Sequence, residues 1–110
     1  MVNTQIIVGR LGKAPELQHT VNGNPVAQFS VAVSEKWKSK AGSDEEHTEW
    51  FDVNVFGRLA ETCTKYLGKG SLVYVEGKTK TDKWENDKGE KKQKTKVNAA
   101  LVKFLDKKEQ

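Results

Sequence analysis

Three tryptophans and a run of lysines are the residues of this 110-residue chain whose chemistry asks for a ligand. Trp37 lies in Ser34-Glu35-Lys36-Trp37-Lys38-Ser39-Lys40, and Trp84 in Thr81-Asp82-Lys83-Trp84-Glu85-Asn86. Neither has apolar neighbours at strand or helix spacing, so neither belongs to a core by pattern and both are expected on loops. Trp50 opens an alternating stretch in which Phe51, Val53 and Val55 take one face. Trp50 and Phe56 then share the other face with Asp52 and Asn54, because side chains alternate along a strand. Taken singly, an exposed aromatic is ordinary, and a loop or a subunit could cover it. Together, aromatics interleaved with lysine suit a single-stranded nucleic acid, whose bases offer flat π-faces and whose phosphates offer charge. The candidate stacking residues are therefore Trp37, Trp50, Phe56 and Trp84. Lys36 and Lys38 beside Trp37, and Lys78 at the head of the lysine-rich stretch, are candidate phosphate contacts.

Catalysis finds no support. His19 and His47 stand alone in the sequence, and Cys63, the one cysteine, falls on the apolar face of a helical pattern. No spacing of histidines, cysteines or carboxylates suggests a metal site, and neither a phosphate-binding loop nor a nucleophile elbow is present. No enzyme, cofactor or metal is expected. A duplex reader would carry a groove-filling helix, and none is evident.

The formal net charge is +4, and residues 78 to 96 hold all of that excess. Eight lysines there face four acids, while the rest of the chain balances 11 basic against 11 acidic residues. A basic stripe gathers polyanions, although a solvated hairpin kept soluble by lysine has the same composition. The start, Met1 to Gln5, has no basic region, and the apolar Ile6-Ile7-Val8 is too short for a signal peptide or a membrane span. With one cysteine, no internal disulfide is possible, so a soluble cytoplasmic protein is expected.

Those residues must be positioned by strands, because period 2 dominates. Gln5 to Val8 runs into a bend at Gly9 to Gly12. Phe29, Val31 and Val33 mark a second strand and Phe51 to Val55 a third; Val73 and Val75 mark a fourth with Gly77 as a bulge, and Thr95 to Phe104 marks the last. Leu59, Ala60, Cys63, Tyr66 and Leu67 fall on one face of a short helix, with Gly68 placed for a left-handed cap. Turns are cued at Asn22 to Pro25, Ala41 to Asp44 and Asn86 to Gly89. The order predicts an all-β, five-stranded Greek-key barrel of the OB type, with its helix between strands three and four and a charged hairpin joining the last two. An SH3-like barrel is the rival, although such domains are shorter and lack the helix. Residues 1 to 105 form one domain in this reading, and 106 to 110 a short charged end.

At this point the sequence resembles the bacterial single-stranded DNA-binding protein family. The matching stretches are Val8-Gly9-Arg10-Leu11-Gly12 with Pro15-Glu16, then Ser34-Glu35-Lys36-Trp37 and Thr48-Glu49-Trp50. Phe56-Gly57-Arg58-Leu59-Ala60-Glu61, Tyr66-Leu67-Gly68-Lys69-Gly70, Val73-Tyr74-Val75-Glu76-Gly77 and Lys83-Trp84 follow in the family's order. The resemblance implies an OB fold, a homotetramer built as a dimer of dimers, and single-stranded DNA wrapped around it during replication, recombination and repair. It also implies stacking at Trp37, Trp50, Phe56 and Trp84, and phosphate contacts at Lys40, Arg58, Lys69, Lys80 and Lys83. Arg10 is a further candidate, at a position the family often fills with asparagine.

Three departures qualify the likeness. Phe51 replaces a histidine that many members place near a subunit contact. Asp82 stands where a second basic residue is common. The acidic, apolar-tipped tail that recruits partners is missing, and the sequence closes on Asp106-Lys107-Lys108-Glu109-Gln110. Tail-mediated recruitment is therefore not expected, and a shortened or phage-encoded form would fit. The rival function is an OB-fold protein-interaction subunit of a replication-restart complex, whose exposed aromatics would serve an interface.

Overall fold

In a computed structural model, residues 1–106 are described, so of the short charged end only Asp106 falls among them. The elements in order are β1 (Gln5–Leu11), β2 (Glu16–His19), β3 (Pro25–Lys38), β4 (Asp44–Phe56), α1 (Arg58–Tyr66), β5 (Leu72–Glu85) and β6 (Lys91–Phe104). β1 pairs with both β5 and β3, which closes the sheet β1-β5-β6-β4-β3 into a five-stranded barrel. All pairings are antiparallel except β4 with β6. The helix sits between the third and fourth barrel strands, and the fold is the expected OB barrel.

Alternation explains the core. Ile7 and Leu11 from β1, Phe29 and Val31 from β3, and Val53 and Val55 from β4 are buried, as are Val73 and Val75 from β5 and Val97 and Val102 from β6. Ala60, Cys63 and Leu67 close one end of the barrel from the helix side. Branched valines dominate because they fit a pleated surface with little rotamer freedom to lose. Among the described residues no polar or charged residue is buried.

Three local expectations are corrected. β2 is an additional strand on the outer edge of β3, and all four of its residues are exposed, so its sequence shows no buried face. Gly68 is not the left-handed cap. The helix ends on Leu67 in an extended conformation, whose amide donates to the Cys63 carbonyl, and Gly70 takes the positive φ of 87°. Tyr66 is exposed at the rim, tilted against Phe104, instead of joining the helix's buried face.

The bulge at Gly77 is real and shapes the molecule. Register passes from Glu76–Leu101 to Gly77–Ala99, so Ala100 is the extra residue. A side chain at Gly77 would collide with the carbonyl of Asn98, so only glycine admits this approach. Beyond it, β5 and β6 leave the barrel as a long ribbon, and β3 and β4 form a second one. The radius of gyration of 16.4 Å exceeds the roughly 13 Å of a compact domain of this length for that reason. No helix among the described residues is long and apolar enough to cross a membrane.

Phe29 is the largest side chain in this small core, and truncating it should leave a cavity. Phe29→Ala is expected to cost about 3–5 kcal/mol, read as a lower urea midpoint at unchanged slope. An unchanged midpoint would contradict the packing described.

Candidate nucleic-acid interface

β4 carries the aromatic half of the site. Its outward positions are Trp50, Asp52, Asn54 and Phe56, opposite Ala32, Ser30, Gln28 and Val26 of β3. Trp50 is 59% and Phe56 50% exposed, although each belongs to a strand whose alternate residues are core. Six residues of strand separate them by about 20 Å, so the intervening surface has room for further planar groups. The Trp50 indole lies across Gly12, where an added Cβ would stand 2.6 Å from a ring carbon. Gly12 and the small Ala32 thus let the ring rest against backbone with its other surface open.

β6 carries the basic half. Lys92, Lys94, Lys96 and Asn98 face outward with Lys78, Lys80, Asp82 and Trp84 of β5, as their register requires. The parallel pairing of Val53 with Val97 and Asn54 with Asn98 sets this lysine row directly beside β4. Side chains bridge the junction. Asn54 Nδ2 donates to Asn98 Oδ1 at 3.5 Å, and Lys94 Nζ pairs with Asp52 Oδ2 at 3.0 Å. Ser30 Oγ donates to the second Asp52 oxygen at 3.0 Å. The hydrogen bond from Lys94 holds the Asp52 carboxyl below its ordinary 3.8, against a smaller opposing effect of burial and with help from Ser30 and the Lys96 charge. Lys13, Gln28, Ser30, Asp52, Asn54, Lys94 and Lys96 together line a groove across this junction.

The structure brings together only part of the expected residue set. Trp50, Phe56, Trp84, Lys78 and Lys80 share one outward surface. Trp37 and Trp84, each 49% exposed, lie on β3 and β5 near the ribbon ends and not on loops as expected. Strand alternation puts Trp37 on the opposite side of its ribbon from Trp50, opposite Glu45, while Lys36 and Lys38 are on the Trp50 side. Lys83 likewise points away from the Trp84 side. Lys40 is in the turn after β3, Arg58 is the first residue of α1, and Lys69 lies in the exposed α1–β5 connection. Arg10 is already engaged: its Nη1 donates to the Gly70 carbonyl at 2.9 Å and stands 3.6 Å from Asp106. Among the described residues, Lys36, Lys38, Lys78, Lys80 and Lys83 form no ion pair.

Sequence reasoning left out Lys13, Lys92, Lys94 and Lys96. The even spacing of the last three was visible, but their place beside Asp52 depends on a pairing between distant segments. Elsewhere, Cys63 is fully buried and burial pushes its thiol up to about 11, which keeps it protonated. His47 is exposed beside Glu49, and among the described residues no group of histidine, cysteine and acidic side chains could hold a metal ion.

The Asp52–Lys94 pair has a signed consequence for stability. A folded-state pKa below the unfolded value adds stability above the unfolded pKa, and that stability is lost as pH falls through the folded one. Both side chains are partly exposed, so solvent and salt reduce the effect. Below pH 3.8 the unaltered chain is expected to lose stability more steeply than Asp52→Asn, as measured by thermal unfolding across an acid series. Parallel losses would show that the pair contributes nothing.

Residues 2–105 match the Single-strand binding protein family. Among solved structures the chain is similar to a Plasmodium falciparum SSB in complex with ssDNA. The two are 32% identical, with a TM-score of 0.87 and coverage of 96% of each chain. The chain belongs to the single-strand binding protein family.

Proposed function

We propose that the chain binds single-stranded DNA with little regard to sequence, stacking bases on Trp50, Phe56 and Trp84 and holding phosphates on the lysine row. The observation that carries this reading is the continuity of the two surfaces across the β4–β6 junction. Every base has a π-face, so stacking at roughly 1–3 kcal/mol per base tolerates any sequence. Lysines that lack a protein partner meet backbone phosphates without reading bases. The P. falciparum relative, solved with ssDNA, supports the same ligand. The role proposed is binding. Its use would be to cover single strands exposed in replication, recombination and repair, in the cytoplasm of a bacterium or as a phage product.

Titration with oligo(dT) tests the reading through the tryptophans themselves. Strong fluorescence quenching, weakened by added salt, is expected. Trp50→Ala should lose affinity at every salt concentration, whereas Lys80→Ala should mainly flatten the salt slope, by about 0.7 per lost phosphate contact. No quenching at low salt would defeat the proposal.

A second surface bears on assembly. Ile6 and Val8 on the outside of β1 lie beside Glu76 and Tyr74 of β5, which in turn adjoin Leu101 and Lys103 of β6. Ile6, Val8 and Leu101 are exposed apolar residues, and the Tyr74 hydroxyl donates to Glu76 at 3.0 Å. An apolar patch on the outside of the barrel at β1 suits contact between copies of the chain. The reading is a homotetramer formed as a dimer of dimers. Light scattering should give a mass near four chains, falling on Val8→Arg; a monomeric mass at micromolar concentration would contradict it.

A further inference from the structure

Two cations of the lysine row are already paired, Lys92 with Glu90 at 3.1 Å near the ribbon end and Lys94 inside the groove. Lys94 Nζ lies 3.0 Å from Asp52, and Asp52 stands between Trp50 and Phe56, next to Trp50 on the same face of the strand that would carry the bases. Both oxygens of the carboxylate are engaged, one by Lys94 and one by Ser30 at 3.0 Å. Ser30 thereby fixes the carboxylate toward β6, and the lysine that meets it comes from a strand joined to β4 by only two residue pairs. Beside it, Lys96 and Lys13 line the same groove, where among the described residues Glu16 is the only other acid.

We infer that Asp52 is an internal counter-anion of the DNA groove: it holds Lys94 in the free protein, and a phosphate must take Lys94 from it on binding. This rests on the proposed single-strand binding. The exchange has two consequences. First, the net gain from the Lys94–phosphate contact is reduced, because one ion pair is broken as another forms. Second, the carboxylate left behind faces an incoming anion and attracts a cation from solution, which offsets one of the cations released from the DNA. Asp52 therefore lowers affinity and makes it less steeply dependent on salt. A single acidic residue of this kind keeps the grip reversible without removing any stacking platform.

The test uses oligo(dT) affinity of the full chain across a salt series, with thermal unfolding of each variant alongside. Asp52→Asn keeps the side chain's size and a hydrogen-bonding partner for Ser30. It is expected to bind roughly two- to fivefold more tightly at low salt, the worth of a partly exposed ion pair. Its log–log salt slope is expected to steepen by about 0.7, one additional phosphate contact on a single strand. In a Lys94→Gln background the gain should shrink, because no lysine is left to release and only the carboxylate's own charge facing the DNA is removed. Equal or weaker binding by Asp52→Asn would overturn the inference, as would a gain of the same size in the Lys94→Gln background, which would mean plain repulsion of DNA. Absence of binding by the unaltered chain would instead defeat the functional reading and this inference with it. Binding by the unaltered chain with no change in Asp52→Asn defeats the inference alone.

Discussion

Val53 with Val97 and Asn54 with Asn98 are the two residue pairs that join β4 to β6, and they make the one parallel contact of the barrel. The rest of the surface depends on them. Their inward members, Val53 and Val97, are buried in the core. Their outward members, Asn54 and Asn98, meet at 3.5 Å and set the register between a strand of aromatics and a strand of lysines. A shift of one residue along either strand would turn that strand's outward row into the core. Hydrophobic burial therefore fixes which face Trp50, Phe56, Lys94 and Lys96 occupy. The binding surface inherits its geometry from the valines behind it.

The same constraint explains where the site can be rigid and where it cannot. Around the junction, side chains stand over a packed core, and Trp50 is backed by Gly12. Toward the ends of the two ribbons nothing apolar is buried on either side, as the unbroken exposure of Ser34 to Lys38 and Lys80 to Glu85 shows. A two-stranded ribbon without a packed face gains little from burial and is only marginally fixed. Trp37 and Trp84, half-exposed, stand there with no packed core behind them. Stacking at the barrel surface is pre-organised, and stacking at the ribbon ends must be ordered as the ligand arrives.

Much of this was legible in the sequence, and for reasons that can be stated. The parity of Phe51, Val53 and Val55 against Trp50 and Phe56 is local, so the outward aromatics could be assigned without a structure. The helix over Leu59 to Leu67 and the bulge at Gly77 were visible by the same kind of local pattern, although Tyr66 is displaced to the rim. β2 left no trace because an edge strand with four exposed residues has no face to alternate. The strand positions of Trp37 and Trp84 were hidden for a related reason: a ribbon beyond the core buries nothing, so its residues resemble a loop. The engagement of Arg10 was hidden because its partners, Gly70 and Asp106, are far away in sequence. The pairing of Lys94 with Asp52 spans a parallel seam that no short-range signal encodes.

The central claim is that aromatic and basic rows on two different strands act as one binding surface. Amide chemical shifts of the isotope-labelled protein during addition of oligo(dT) test it most directly. The account predicts that Trp50, Asn54 and Phe56 move together with Lys94, Lys96 and Asn98 at the same DNA concentration, while Ile6 and Val8 are unaffected. Shifts confined to one of the two strands, or centred on Ile6 and Val8, would contradict it.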